Sequence, residues 1–180
     1  MAETTATQTP SLSAALSPSA KRQFIESFKR EHAVTAKVLR AFPADQGEFR
    51  PHPRSQSARQ LAWTFVMEQA LISLGITDQL KLGGGMPPAP ESLEAIREQF
   101  DRDFESTVDL LERTSDDELA RGTVTFFAGP GTMRDFPKLE FAWFMLCDQI
   151  HHRGQYSVYV RLAGGKVPSI YGPSADEPWS

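Results

Sequence analysis

Apolar residues recur every three or four positions along four long stretches of the chain, a spacing that places them on one face of an α-helix. The predicted helices cover residues 20–42, a stretch from a serine cap at Ser55 or Ser57 to about Gly75, residues 91–114, and residues 137–162. Pro43 follows the first helix and Gly164 follows the last, as expected for residues that end helices. Four long amphipathic helices predict an all-α fold, a four-helix bundle.

The segments outside these helices carry turn-forming residues. Residues 123–134 combine a β-branched and aromatic run with a Gly-Pro-Gly break, which predicts a small β-hairpin before the last helix. Residues 167–180 form a proline-rich, extended C-terminal tail, in which Ile170, Tyr171 and Trp179 are expected to dock on the bundle. Residues 1–17 lack periodicity and predict a disordered leader, so a single domain is expected over residues 18–180.

The composition is ordinary for a globular protein and argues against several functions. Hydrophobic residues make up 40% of the chain and charged residues 23%. A net charge of -4 and scattered Lys and Arg argue against nucleic acid or an anionic membrane as partners. Cys147 is the only cysteine, and neither a signal peptide nor an apolar run of membrane-spanning length is apparent. We therefore expect a cytoplasmic protein.

Polar residues interrupt the apolar face of the last predicted helix. Asp148, His152 and Gln155 fall on the face that also carries Met145 and Tyr156. Buried polar groups cost several kcal/mol unless they are hydrogen-bonded, charge-paired or bound to a metal. Because Asp148 and His152 are four residues apart, their side chains project from adjacent turns and are able to share one metal ion. A neutral network in which Asp148 accepts the imidazole N–H explains the spacing equally well.

Two other predicted helices also place polar residues on their inner faces. The second carries Thr64 and Glu68 one turn apart, and the first carries Glu31 and Thr35 with His32 at the edge. The third has no comparable carboxylate or histidine, which predicts one site facing the first, second and last helices. A lone carboxylate on such a face is also explained as a boundary residue that reaches water.

The last helix and the tail resemble the DinB-like (DinB/YfiT) superfamily of bacterial four-helix proteins. The specific match is IHHRGQYSVYVRLAGGKVPSIYGPSADEP at residues 150–178, and SARQLAWTFVMEQ at residues 57–69 is a weaker match. The resemblance implies one divalent metal, zinc or nickel, bound by one His of the second helix and two His of the last helix. His152 matches one of these positions, Asp148 stands at the other in the last helix, and Thr64 stands at the position in the second helix.

Thr64 is the main departure from the family pattern, because a neutral hydroxyl is a weak ligand for zinc or nickel. Two outcomes follow. Either Glu68, one turn further on, replaces the missing histidine and completes a metal site with Asp148 and His152, or the pocket has lost its metal. Four further residues are expected to line the pocket: Thr64, Gln155, Tyr156 and Glu31.

The resemblance implies two alternative functions. One is a metal-dependent transferase or isomerase that uses a small thiol such as bacillithiol, mycothiol or glutathione. The other is a non-catalytic, stress-associated or binding protein that lacks the metal. The family implies a homodimer, and Trp63, Trp143 and Phe144 are candidate interface residues because they lie partly off the core faces. Coverage by a loop and the tail explains these aromatic residues equally well.

Overall fold

Four long helices, one short helix and a β-hairpin form the structure, a computed structural model that describes residues 19–85 and 87–179. The elements in chain order are α1 (Ala20–Ala41), a single 3₁₀ turn (Ala44–Gln46), α2 (Ala58–Ile76), α3 (Leu93–Arg113), α4 (Asp116–Arg121), β1 (Thr123–Gly129), β2 (Thr132–Pro137) and α5 (Lys138–Leu162). The predicted four-helix bundle with a hairpin before the last helix is confirmed. The predicted leader lies outside the described residues.

Serine side chains begin the first four helices. Ser57, the second of the two predicted caps of α2, accepts a hydrogen bond from the Gln60 backbone N–H, and the Gln60 side chain accepts one from the Ser57 backbone N–H. This reciprocal capping box satisfies two backbone donors that the helix itself leaves unpaired. The other three helices are capped by Ser19, Ser92 and Ser115.

The helix contacts place α5 between α1 and α2. α2 packs against α5 and α3, while α1 packs against α5 and α3. One apolar cluster includes Leu39, Phe65 and Tyr156, and a second includes Phe28 and Phe141 nearer the hairpin. One side of α5 therefore faces α1 and another faces α2, which decides where each of its polar side chains can reach.

The hairpin closes the end of the bundle at which α2 finishes and α5 begins. β1 and β2 are antiparallel, and the paired residues Val124 and Phe136 are both buried. Gly75 is required where α2 meets α5 here, because a Cβ at this position would lie 2.8 Å from the Phe141 ring. Within the described residues, no helix has both the length and the hydropathy that a membrane span needs.

The C-terminal segment after α5 folds back along the bundle without forming a helix or strand. Ile170 packs against the first apolar cluster, as predicted. Tyr171 is held through its hydroxyl group while most of its surface stays exposed. The docking role predicted for Trp179 is wrong, since its side chain is exposed.

Candidate metal centre

Glu68 of α2 and Asp148 and His152 of α5 come together at the contact between these two helices. Each offers one potential ligand atom, and these three atoms lie within 4.8 Å of one another. Asp148 and His152 are one turn apart on α5, and Glu68 reaches them from the facing turn of α2. The three residues of the predicted metal site therefore converge: His152, which matches a histidine of the family pattern, and the carboxylates Glu68 and Asp148.

The three side chains differ in depth. The Glu68 carboxylate is 4% exposed, the His152 imidazole 21% and the Asp148 carboxylate 44%. His152 Nδ1 lies 2.7 Å from Glu68 Oε1 and 4.0 Å from Asp148 Oδ1. The site thus has a buried carboxylate at its base, the imidazole above it and the second carboxylate at the solvent edge.

Burial raises the pKa of the Glu68 carboxyl to about 7; Asp148 adds to this, and the His152 hydrogen bond opposes it. The hydrogen bond with Glu68 raises the pKa of His152 above its ordinary value, against the effect of burial. Because the pKa values of both groups are raised, the Glu68 carboxyl and the His152 imidazole retain a proton between them close to neutral pH. Two carboxylates beside one imidazole therefore need added positive charge, which a proton or a metal cation provides.

The arrangement fits a divalent cation. Ligand atoms that share a tetrahedral zinc ion lie roughly 3.4 Å apart, and the 2.7 Å and 4.0 Å separations around His152 Nδ1 bracket that value. Glu68 Oε2 is buried and makes no hydrogen bond to any described residue. A buried oxygen without a partner is costly unless a ligand uses it. The donor set of two carboxylates and one imidazole favours harder ions more than a set of three histidines does.

A cavity of about 440 Å³ opens beside His152. Its lining combines hydroxyl and amide groups with apolar surface and consists of Ser55, Gln56, Leu61, His152, Gln155, Val158 and Tyr159. Gln155 is thus one of the residues that line this cavity, and its amide nitrogen lies 2.9 Å from His151 Nε2. A small molecule in this cavity would touch the imidazole and at least one amide side chain.

Thr64 lies one turn before Glu68 but lines a different cavity of about 250 Å³, with Gln56 common to both cavities. Its hydroxyl donates to the Gln60 carbonyl of its own helix. Tyr156 lines neither cavity. Its ring is fully buried, with ring centroids 5.3 Å from Phe42 and 6.0 Å from Phe65. The prediction that Tyr156 lines the pocket is corrected: the residue belongs to the core.

Glu31 is also absent from the predicted pocket, because it faces a different side of α5. Its carboxylate Oε2 lies 2.7 Å from Nη1 of Arg153, which is only 1% exposed. Residues 152 and 153 are separated by about 100° around the helix, so one faces α2 and the other α1. The sequence leaves open whether Arg153 faces outward or pairs with a carboxylate, and it does not identify Glu31 as the partner. The inner-face carboxylate on the first helix was the signal, but its partner could not be identified from spacing.

His32 is likewise separate from the centre. Its ring stacks on Phe100 and Phe104, with centroid distances of 4.6 Å and 3.7 Å, and its Nε2 lies 3.2 Å from Asp101 Oδ1. Burial lowers the pKa of His32 to about 4, although Asp101 opposes this shift. The ring is therefore neutral in the folded protein at neutral pH.

The lowered pKa of His32 predicts acid sensitivity. The unfolded chain takes up this proton near pH 6.5, whereas the folded protein resists it until about pH 4. Stability is therefore fully present above pH 6.5 and is lost as the pH falls towards 4. Between pH 7 and pH 5, His32 is expected to lower the free energy of unfolding by about 2 kcal/mol. Urea unfolding of His32→Gln should show a smaller loss over this range, whereas His52→Gln, at an exposed loop position, should behave like the wild type.

Comparison with known proteins identifies a family profile and a relative that match most of the chain. The profile of the DinB family matches residues 14–179. The uncharacterized protein YrdA of Bacillus subtilis (strain 168) is 24% identical over 154 residues, which cover 86% of this chain and 89% of that protein.

Two solved structures are also similar. A DinB-like protein from Bacillus cereus ATCC 10987 has a TM-score of 0.70 and 26% identity, covering 83% of this chain and 97% of that one. A DinB-like protein (YjoA) from Bacillus subtilis has a TM-score of 0.65 and 20% identity, covering 82% and 97%. The second likeness concerns the fold alone.

Proposed function

Because the chain belongs to the DinB family, we propose that Glu68, Asp148 and His152 bind one divalent cation between α2 and α5. The observation that carries this proposal is the convergence of two carboxylates and an imidazole around a buried Glu68 oxygen that has no partner among the described residues. A proton can neutralise one of these charges, whereas a cation can use all three ligands. Zinc, nickel and the harder manganese ion are the cations to test.

We extend the proposal to catalysis by a metal-dependent transferase or isomerase that uses a small thiol. A cation of this kind, when bound, lowers the pKa of a thiol that coordinates it. The cavity beside His152 is the proposed binding site, in which Leu61 and Val158 contact apolar parts of the substrate and Gln155 hydrogen-bonds its polar groups. Asp148, at the solvent edge, is the proposed ligand that an arriving thiol would meet first.

Replacing Glu68 tests the proposal directly. The wild-type protein, purified without added metal, is expected to contain about one equivalent of divalent metal per chain. Glu68→Gln should retain less than about a tenth of that, because the amide keeps the size of the side chain but loses the buried anionic ligand. Elemental analysis measures the metal, and thiol loss with a panel of thiols and electrophiles measures turnover, which should fall to background in the variant.

Glu105→Gln is the matched control, because Glu105 is an exposed carboxylate on α3. It should keep both the metal and the turnover of the wild type. Metal-free wild-type protein whose melting temperature is unchanged by chelator and by added zinc, nickel or manganese would contradict the proposal.

A second candidate function is a metal-free binding protein that acts as a homodimer. Thr64, at the position where the family has a histidine ligand, favours it. Trp143 and Phe144 on α5 also support an interface between two copies, since they are 36% and 40% exposed. Trp63 no longer supports it, because its indole N–H donates to the Pro87 carbonyl under the adjoining loop. Metal-free protein would favour this alternative.

A further inference from the structure

Arg153 fixes α5 against α1. Its side chain is 1% exposed, and Nη1 lies 2.7 Å from Glu31 Oε2. The same nitrogen donates to the Thr35 hydroxyl at 3.2 Å and to the Glu31 carbonyl at 3.3 Å. The guanidinium group thus spans two successive turns of α1.

Tyr171 brings the C-terminal segment into the same network. Its hydroxyl accepts a hydrogen bond from Arg153 Nη2 and donates one to Glu31 Oε2, both at 2.6 Å. The guanidinium carbon lies 5.0 Å from the centroid of the Tyr171 ring. Glu31, Arg153 and Tyr171, hereafter the clasp, join α1, α5 and the C-terminal segment through one buried charge pair.

The clasp and the candidate metal centre hold adjacent residues of α5 from two sides. Arg153 is held from α1, and the preceding residue, His152, meets Glu68 of α2. A rotation of α5 by about 20° would move a side-chain tip at a radius of about 6 Å by roughly 2 Å. Metal sites require ligand distances within about 0.2 Å. A small change in how Arg153 is held is therefore enough to change the geometry at His152.

We infer that the clasp positions the His152 imidazole against Glu68, so that docking of the C-terminal segment and occupation of the metal centre are coupled. The coupling part of this inference rests on the proposed function of the centre. Arg153 and Tyr171 are then positioning residues that act through His152. By thermodynamic linkage, the effect must be reciprocal: docking strengthens metal binding, and metal binding strengthens docking.

Tyr171→Phe tests the clasp, because it removes only the bridging hydroxyl group. Zinc affinity, measured by competition with a chelating dye, is expected to weaken about tenfold. Tyr156→Phe is the matched control on α5. Its hydroxyl is buried in the core without a hydrogen-bond partner among the described residues, so zinc affinity should stay unchanged. Equal affinities for wild type and Tyr171→Phe would overturn the inference.

Amide hydrogen exchange tests the reciprocal effect. Zinc should slow exchange across residues 167–177 in the wild type, and this slowing should be reduced in Tyr171→Phe. Unchanged exchange on zinc binding overturns the coupling.

If the wild type binds none of zinc, nickel and manganese, the proposed function fails, and the positioning role is decided on metal-free protein. The NMR signals of the His152 imidazole should then shift in Tyr171→Phe and stay in place in Tyr156→Phe. His152 signals that do not move in Tyr171→Phe overturn the inference. A purely structural contact of the C-terminal segment would change neither these signals nor the zinc affinity.

Discussion

Replacing Arg153 with methionine is expected to lower the free energy of unfolding by about 3–5 kcal/mol. The change would leave the Glu31 carboxylate, 14% exposed, without its guanidinium partner inside the bundle. It would also remove the donor to the Tyr171 hydroxyl group. A buried charge that loses its partner keeps its desolvation cost and loses the attraction that offset it. Urea unfolding in the presence of chelator measures this loss independently of any bound metal.

Arg161→Met is the matched control, because Arg161 is another arginine of α5 that pairs with a carboxylate. Its partner is Asp176 of the C-terminal segment, and this pair lies at the surface. Its loss of stability should be only a small fraction of that in Arg153→Met, since water screens an exposed pair. The double variant Glu31→Met with Arg153→Met should recover much of the stability, since two apolar side chains of similar size need no charge compensation. A loss below about 1 kcal/mol in Arg153→Met would show that the buried pair is solvated and the clasp weak.

The long helices could be predicted because each repeats its apolar spacing over several turns, but α4 could not. α4 has six residues, fewer than two turns, and Leu119 is its one buried residue. No periodicity can be recognised over such a length. Its position depends instead on a tertiary contact, in which the buried Lys138 Nζ contacts Glu118 and also donates to Asp78 and to the Ile76 carbonyl. Only the folded chain brings these groups together.

Part of the candidate site could be predicted, because residues on one face of a helix contact the same neighbouring helix. Glu68, Asp148 and His152 converge because the predicted faces of α2 and α5 meet. Tyr156 and Glu31 were misplaced because the sequence does not say where α1 and α2 sit around α5. With α5 held between two helices, Tyr156 points into the core and Glu31 reaches Arg153. Periodicity predicts which residues turn inwards but leaves open which neighbour each one meets.

Restoring a histidine in place of Thr64 is expected to increase zinc affinity by on the order of 100-fold. Thr64 is half-buried on α2, one turn before Glu68, the residue that α2 contributes to the candidate metal centre. Thr64→His would add a strong neutral ligand to a centre that has two carboxylates and one imidazole. A gain of about 100-fold corresponds to about 3 kcal/mol, which should also appear as added stability at saturating zinc. Competition with a chelating dye and thermal unfolding measure the two effects.

Thr77→His controls for histidine as such, because Thr77 is exposed at the end of the same helix. Its zinc affinity should equal that of the wild type. The double variant Thr64→His with Glu68→Gln tests whether a gain in zinc affinity arises because the introduced imidazole joins the centre. If the introduced imidazole joins the centre, the double variant should bind zinc more tightly than Glu68→Gln alone but less tightly than Thr64→His. Unchanged affinity in Thr64→His would mean that position 64 does not face the ion, and Glu68 would then be the ligand that α2 contributes.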